Sequence, residues 1–201
     1  MIVILLKRTL GWMLFLFLAE TCIIACKCPE PNEFNYAYER LTVLSLDNSG
    51  STAELSGSDS VRKQAYGIRV NIERILVAVQ HDWHLGNLAY ATTWNCLARE
   101  YNPANAIKMI KIITLNDFDA SHPAGAELSD YFKKVDAGKF YDIETIYKQE
   151  SQVFKSNFLE PLEADVLLTK APEHSGLYTF VVETDLSDGT ILKDTTSVQL
   201  Y

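Results

Sequence analysis

Two short stretches concentrate the side chains that bind metals or move protons. His81-Asp82-Trp83-His84 sets two imidazoles around a carboxylate, and Asp117, Asp119 and His122 sit within Asn116 to His122, "NDFDASH". Brought together by a fold, His81, His84, Asp117, Asp119 and His122 would offer the nitrogen and oxygen ligands that hold zinc or another divalent ion. The spacing argues for a plainer role. His81 and His84 converge on one ion only from a helix, whereas the flanking "VAVQ" and "LGN" read as the margins of a loop. Asn116, Asp117, Asp119 and Ser121 are turn formers whose short side chains bond to nearby backbone. The expectation is two surface loops with no metal or other cofactor. A metal-dependent hydrolase using His81, His84 and Asp119 is the enzymatic alternative.

Other chemistry has less support. There is no Gly-x-Ser-x-Gly elbow and no glycine-rich phosphate loop, and Cys96 lies in the apolar stretch "LAYATTWNCL", where a thiol is usually inert. The carboxylate pairs Glu160/Glu163 and Asp185/Asp188 have the residue types of a glycosidase, but a strand end and a hairpin turn are where solvated carboxylates belong. Trp83, Tyr90, Trp94 and Tyr101 have the flat faces that sugar-binding surfaces use, although Trp94 alternates with Thr92 as a core residue would. No catalytic residue is assigned, and the chain is expected not to be an enzyme.

The cysteines point to an address. Leu10 to Ala19, "LGWMLFLFLA", is preceded by Lys7-Arg8 and closed by Glu20, the layout of a secretory signal peptide. The run is too short for a span, which needs about 20 apolar residues, and Glu20 would cost about 3 kcal/mol near a bilayer centre. Ile23-Ile24-Ala25-Cys26 resembles the lipobox at which lipoprotein signal peptides are cut and the cysteine acylated. Cys22 and Cys28 are preceded by polar or charged residues. Cys26 is therefore the expected lipidation site, carrying palmitate or similar chains, and residues 1–25 the signal peptide. Two or three chains, at about 0.8 kcal/mol per buried methylene, anchor a domain without spanning. Cys28 and Cys96 then remain as an even pair in an oxidising compartment. A disulfide between them would close a loop of about 69 residues and stabilise by roughly 4 kcal/mol in the chain-entropy model; the alternative is two free thiols.

Charge excludes some partners. The 201 residues include 18 basic and 26 acidic side chains, a formal charge of −8. Removal of residues 1–25, with two basic and one acidic side chain, leaves −9. Such a chain has no footprint for nucleic acid and is repelled by anionic lipid, so membrane association must come from the acyl anchor on Cys26.

The elements that would position these residues are mainly β. "KCPEPNEFNYAYER" reads as a tether over 26–38, ahead of one domain over 39–201, with a first strand over Arg40 to Asp47 and a polar loop behind it. Tyr66, Ile68, Val70 and Ile72 alternate with polar or small residues, the pattern of a strand with one buried face, and Glu73-Arg74 interrupts it as a bulge or bend would. Ile107 to Leu115 and Ala164 to Lys170 read as strands. Leu128, Tyr131, Phe132 and Val135 fit one face of a short helix, and "DIETIYKQES" a second helical turn. The C-terminal stretch reads as a hairpin with Tyr178, Phe180 and Val182 inward and Asp188-Gly189 at the turn.

Ser175 to Phe180, "SGLYTF", is similar to the approach to strand F in immunoglobulin-like sandwiches, where a tyrosine bonds back to the corner. Phe180 stands where antibody domains keep a cysteine. The expected fold is an immunoglobulin-like antiparallel two-sheet sandwich with one or two short helical insertions. Across "IIACKC", "AYATTWNC" and "IITLNDFDASHPAGAELSDYF", the chain resembles a family of short lipoproteins from Bacteroides-type bacteria that has no established activity. The resemblance implies a lipid-anchored protein of the cell envelope, at the outer membrane, facing periplasm or surface. Lys27-Cys28-Pro29-Glu30 leaves that choice of face open. The expected function is binding of an envelope protein or glycan through the loops, with a structural accessory subunit of an envelope complex as an alternative.

Overall fold

The computed structural model describes Trp12 and residues 33–79, 99–150, 153–156 and 158–201. In chain order the elements are β1 (Glu33–Asp47), β2 (Glu54–Leu55), β3 (Ser60–Val61), β4 (Tyr66–Val79), β5 (Arg99–Pro103), β6 (Ile107–Thr114), a 3-10 turn (Ser129–Tyr131), β7 (Phe132–Asp136), β8 (Lys139–Asp142), α1 (Ile143–Glu150), β9 (Phe154–Ser156), β10 (Leu162–Leu168), β11 (Gly176–Leu186) and β12 (Ile191–Leu200). They form two sheets. The larger runs β8-β7-β10-β4-β1-β5-β9, with β2 also on β1, and the smaller runs β3-β12-β11-β6.

Within this order lies the immunoglobulin plan. The neighbours β1, β4, β10 and β7 correspond to strands A, B, E and D, and β6, β11 and β12 to C, F and G. All adjacent pairs among them are antiparallel, while β3 pairs in parallel with β12 at Gln199 and Leu200. The fold is thus a mainly β, immunoglobulin-like sandwich with one short helix and one 3-10 turn. α1 turns Ile143, Ile146 and Tyr147 inward, the i, i+3, i+4 face of an amphipathic helix, and the Tyr147 hydroxyl donates to the Val70 carbonyl at 2.7 Å.

Alternation builds the core. Tyr66, Ile68, Val70 and Ile72 of β4 and Tyr178, Phe180 and Val182 of β11 are all buried. Phe180 stacks on Tyr66, centroids 5.3 Å apart, and meets Phe132 edge-on at 5.6 Å. An aromatic contact between strands B and F therefore takes the place of the inter-sheet disulfide, and such a pair contributes about 0.5–1.5 kcal/mol beyond the area it buries. Gly67 is a close approach: a Cβ there would lie 2.7 Å from Leu167 Cδ2 and 2.9 Å from the Val166 carbonyl oxygen.

Several expectations need correction. β1 begins at Glu33, so residues 33–38 are strand and not tether. Phe34, Tyr36 and Tyr38 already alternate into the core, and the prolines that suggest extension lie before them. A bulge does fall opposite Glu73 and Arg74, but the extra residue is Glu39 on β1, between Tyr38↔Arg74 and Arg40↔Glu73; β4 itself continues to Val79. The helix over "AELSDYFKKV" is absent. The 3-10 turn ends at Tyr131 and Phe132 starts a strand that pairs with Leu168 of β10, so sheet pairing overrides a helical period only two turns long. The stretch "DIETIYKQES", in contrast, does hold α1.

Candidate functional site

Of the two candidate loops, "HDWH" lies outside the described residues, as do Cys22, Cys26, Cys28 and Cys96. The second loop is well defined. It leaves β6 at Thr114, and the Asp119↔His122 backbone bridge closes it into a tight turn. There the Phe118 amide donates to the His122 carbonyl at 2.9 Å and the His122 amide to the Asp119 carbonyl at 3.1 Å.

This turn aims one carboxylate inward. Asp119 Oδ1 accepts from the Ser121 amide at 2.9 Å and lies 2.8 Å from His122 Nδ1. Asp119 Oδ2 accepts from Lys170 Nζ at 2.7 Å. The ammonium of Lys170 also donates to the Tyr131 hydroxyl at 3.1 Å and lies over that ring, 4.9 Å from its centroid. Hydrogen bonds from Lys170 first, then from His122, hold the Asp119 carboxyl well below the usual carboxylate range, and Asp119 in turn raises the Lys170 ammonium.

Asp117 does not join this group. Its Oδ1 accepts from the Ala124 amide at 2.9 Å and closes the next turn. Among the described residues no three His, Cys, Asp or Glu side chains gather as a metal site would require. The position a cation would take against Asp119 Oδ2 is held by the chain's own ammonium, so Asp119 and His122 tie the segment after β6 to the segment after β10. Lys170 and Tyr131 complete that tie, and no spacing in the sequence marks them, since Lys170 is 51 residues from its partner.

The corner connects to the core through rings. His122 packs on Tyr131 at 4.9 Å, Tyr131 on Phe118 at 5.7 Å, Phe118 on Tyr178 at 6.1 Å and Tyr178 on Phe180 at 6.3 Å. The Tyr178 hydroxyl donates to the His174 carbonyl at 2.9 Å, the corner bond that "SGLYTF" leads one to expect.

Asp188, Glu163 and Tyr101 are also engaged in structural contacts. Asp188 Oδ1 accepts from the Thr190 amide at 2.9 Å and its Oδ2 from Asn105 Nδ2 at 3.1 Å; these bonds, the Thr190 amide first, lower its pKa. Asn105 Oδ1 accepts from the Tyr38 amide at 2.9 Å, so the turn between β11 and β12 is tied to β1. Glu163 lies 3.5 Å from Arg69, which binds Asp165 through two nitrogens at 2.7 and 2.8 Å. Tyr101 is not a sugar platform. It is buried and stacks on Phe154 at 5.1 Å, within a group in which the Arg74 guanidinium lies over Tyr36, Tyr38 and Phe154 at 4.8 to 5.7 Å. Trp83, Tyr90 and Trp94 lie outside the described residues. No described helix is long and apolar enough to cross a membrane.

Strand order and corner together define an immunoglobulin-like sandwich domain in which Asp117, Asp119, Asp188 and Asn105 are engaged in holding loops. Residues 38–197 match a family described as a domain of unknown function, DUF5034, and the chain belongs to that family. No curated protein matches it. Among solved structures it is similar to one titled BspA_C_mut, with 14% identity and a TM-score of 0.28, and to the C-terminal domain of the Streptococcus pyogenes antigen I/II-family protein AspA, with 9% identity and a TM-score of 0.30. Each match covers 80% of this chain and 46% of the other, so the chain spans about half the length of the structures it matches.

Proposed function

We propose that this protein is a lipid-anchored domain of the outer membrane that binds an envelope protein or glycan and turns over no substrate. The observation that carries the non-catalytic half is the state of Asp119, the carboxylate of the candidate loop that lies beside a histidine and a lysine. Three donors from Ser121, His122 and Lys170 already bond to it and hold its carboxyl well below the usual carboxylate range, which makes it a poor general base near neutral pH.

The anchored half is supported by Ile23-Ile24-Ala25-Cys26 and by the acidic balance of the chain. Only six residues separate Cys26 from the start of β1 at Glu33. At no more than about 3.6 Å per residue, the sandwich would be held within roughly 25 Å of the acyl chains. The partner would then have to reach a domain lying close against the bilayer.

Labelled palmitate should enter the wild type and be lost in Cys26→Ala; isolation of the chain with Met1 attached and a bare Cys26 thiol would overturn the anchor. Mass spectrometry after thiol blocking tests the accompanying Cys28–Cys96 disulfide. For the binding half, a pull-down of the acylated protein from envelope extracts and a glycan array should give a stoichiometric partner or a saturable sugar. A metal-dependent hydrolysis abolished by Asp119→Asn would sink it.

A further inference from the structure

A β-protein has to protect the unpaired backbone of its edge strands, and this molecule does so at three places with named groups. Along the free side of β6, residues 126–129 run antiparallel: the Thr114 amide donates to the Ala126 carbonyl at 3.0 Å and the Leu128 amide to the Ile112 carbonyl at 2.7 Å. On β1, between the stretches paired with β5 and β2, the Tyr38 and Val43 amides donate to Asn105 Oδ1 and Asp194 Oδ2 at 2.9 and 2.7 Å. The end of β12 is covered by β3.

The β8 edge of the large sheet is treated differently. β8 ends the sheet and pairs with β7 alone. Asp136 and Lys139 flank the two-residue turn Ala137-Gly138, both with positive φ, and so close the ladder as a hydrogen-bonded pair. The next pair, Val135↔Phe140, is then of the other kind, so the Phe140 amide and carbonyl point away from β7. Among the described residues neither has a backbone partner outside the hairpin. Phe140 is 66% exposed and Val135 opposite it 43%. Lys133 is paired with Asp142, whereas Lys134 and Lys139 have no ion-pair partner among the described residues.

We propose that β8 accepts an extended segment of another polypeptide as an added strand, one with a large apolar residue opposite Phe140 and a carboxylate at the neighbouring position opposite Lys139. Main-chain bonds supply affinity in this mode and alternate side chains supply specificity. Charge selects the occupant: Lys134 and Lys139 attract a carboxylate locally, against the net charge of −8 on the chain as a whole. A second copy fits less well. Strands meeting through the outward groups of Phe140 and Asp142 can pair as Phe140↔Phe140 or Phe140↔Asp142. These registers place Lys139 opposite Tyr141 or Ile143, never opposite a carboxylate.

The proposal rests on the binding reading above and names its partner class. The test uses the full chain in detergent and two fluorescent seven-residue peptides, one alternating valine with glutamate and one alternating valine with lysine. The glutamate peptide should bind, and Phe140→Pro, which removes the outward amide, should weaken it about tenfold or more. The double charge reversal Lys134→Glu/Lys139→Glu leaves the backbone intact and should exchange the preference, favouring the lysine peptide. Failure of the glutamate peptide to bind, equal binding of both peptides, affinity unchanged in both variants, or a concentration-dependent dimer abolished by Phe140→Pro would each overturn the proposal. An envelope partner still captured by Phe140→Pro would refute the β8 proposal while leaving the binding reading intact.

Discussion

The Asp119 corner and the β8 edge lie on one sandwich and are built to opposite specifications. At the corner, carboxylate, imidazole, phenol and ammonium satisfy one another, and a chain of rings joins them to the core. At the edge, a backbone amide, a carbonyl, a phenyl ring and two ammonium groups face water. Among the described residues, the groups at the corner that could move a proton are thus engaged with one another, while the open strand offers backbone groups, a ring and ammonium groups.

The largest expected effect falls on the core behind the corner. Phe180→Ala removes the ring that contacts Tyr66, Phe132 and Tyr178 and should destabilise by about 4 kcal/mol in urea unfolding. Hydrogen exchange should rise first at the Asp119 corner and last at β8 if the corner depends on this core. A uniform rise would break the comparison.

Gly67→Val places a side chain against the Val166 carbonyl and should cost about 2–3 kcal/mol; an unchanged urea midpoint would mean that β4 and β10 have room to separate. Tyr178→Phe keeps the ring and loses the bond to His174, for an expected loss of about 1–2 kcal/mol.

On the open side the sign reverses. Ala137 has φ 48°, a left-handed conformation unfavourable for alanine, and the two-residue turn it shares with Gly138 prefers asparagine there. Ala137→Asn should stabilise by about 0.5–1 kcal/mol, measured by thermal unfolding, and should tighten peptide binding by stiffening the hairpin.

The smallest effect belongs to Asp119 itself, because Lys170 is half exposed and water screens the pair. Its folded pKa is depressed, so its contribution is fully present above the unfolded value near pH 3.9 and is lost as pH falls through the folded value. Asp119→Asn should therefore flatten the decline of stability below about pH 4. An acid limb identical to wild type would show that the carboxylate's partners do not hold it in solution.

Much of the fold could be read from local pattern. Alternation at Tyr66 to Ile72 and at Tyr178 to Val182 specifies strands with one buried face whatever surrounds them, because successive side chains on a strand point to opposite sides. Asp188-Gly189 specifies a turn because glycine reaches positive φ without strain, as Gly189 does at 89°. The tyrosine corner was legible for the same reason, since its bond spans only four residues.

Contacts distant in the chain were not legible. Phe132 carries a helical period, yet pairing with Leu168 makes it a strand. Lys170 and Asp119 meet only because strands E and F return the chain beside strand C, and the residue counts between them encode no distance. The openness of β8 is likewise a tertiary property, since "KFYD" reads like any short strand. Local sequence determined which residues alternate and where the chain turns, because those depend on backbone sterics within a few residues. The sheet order decided which polar groups met a partner and which edge was left without one.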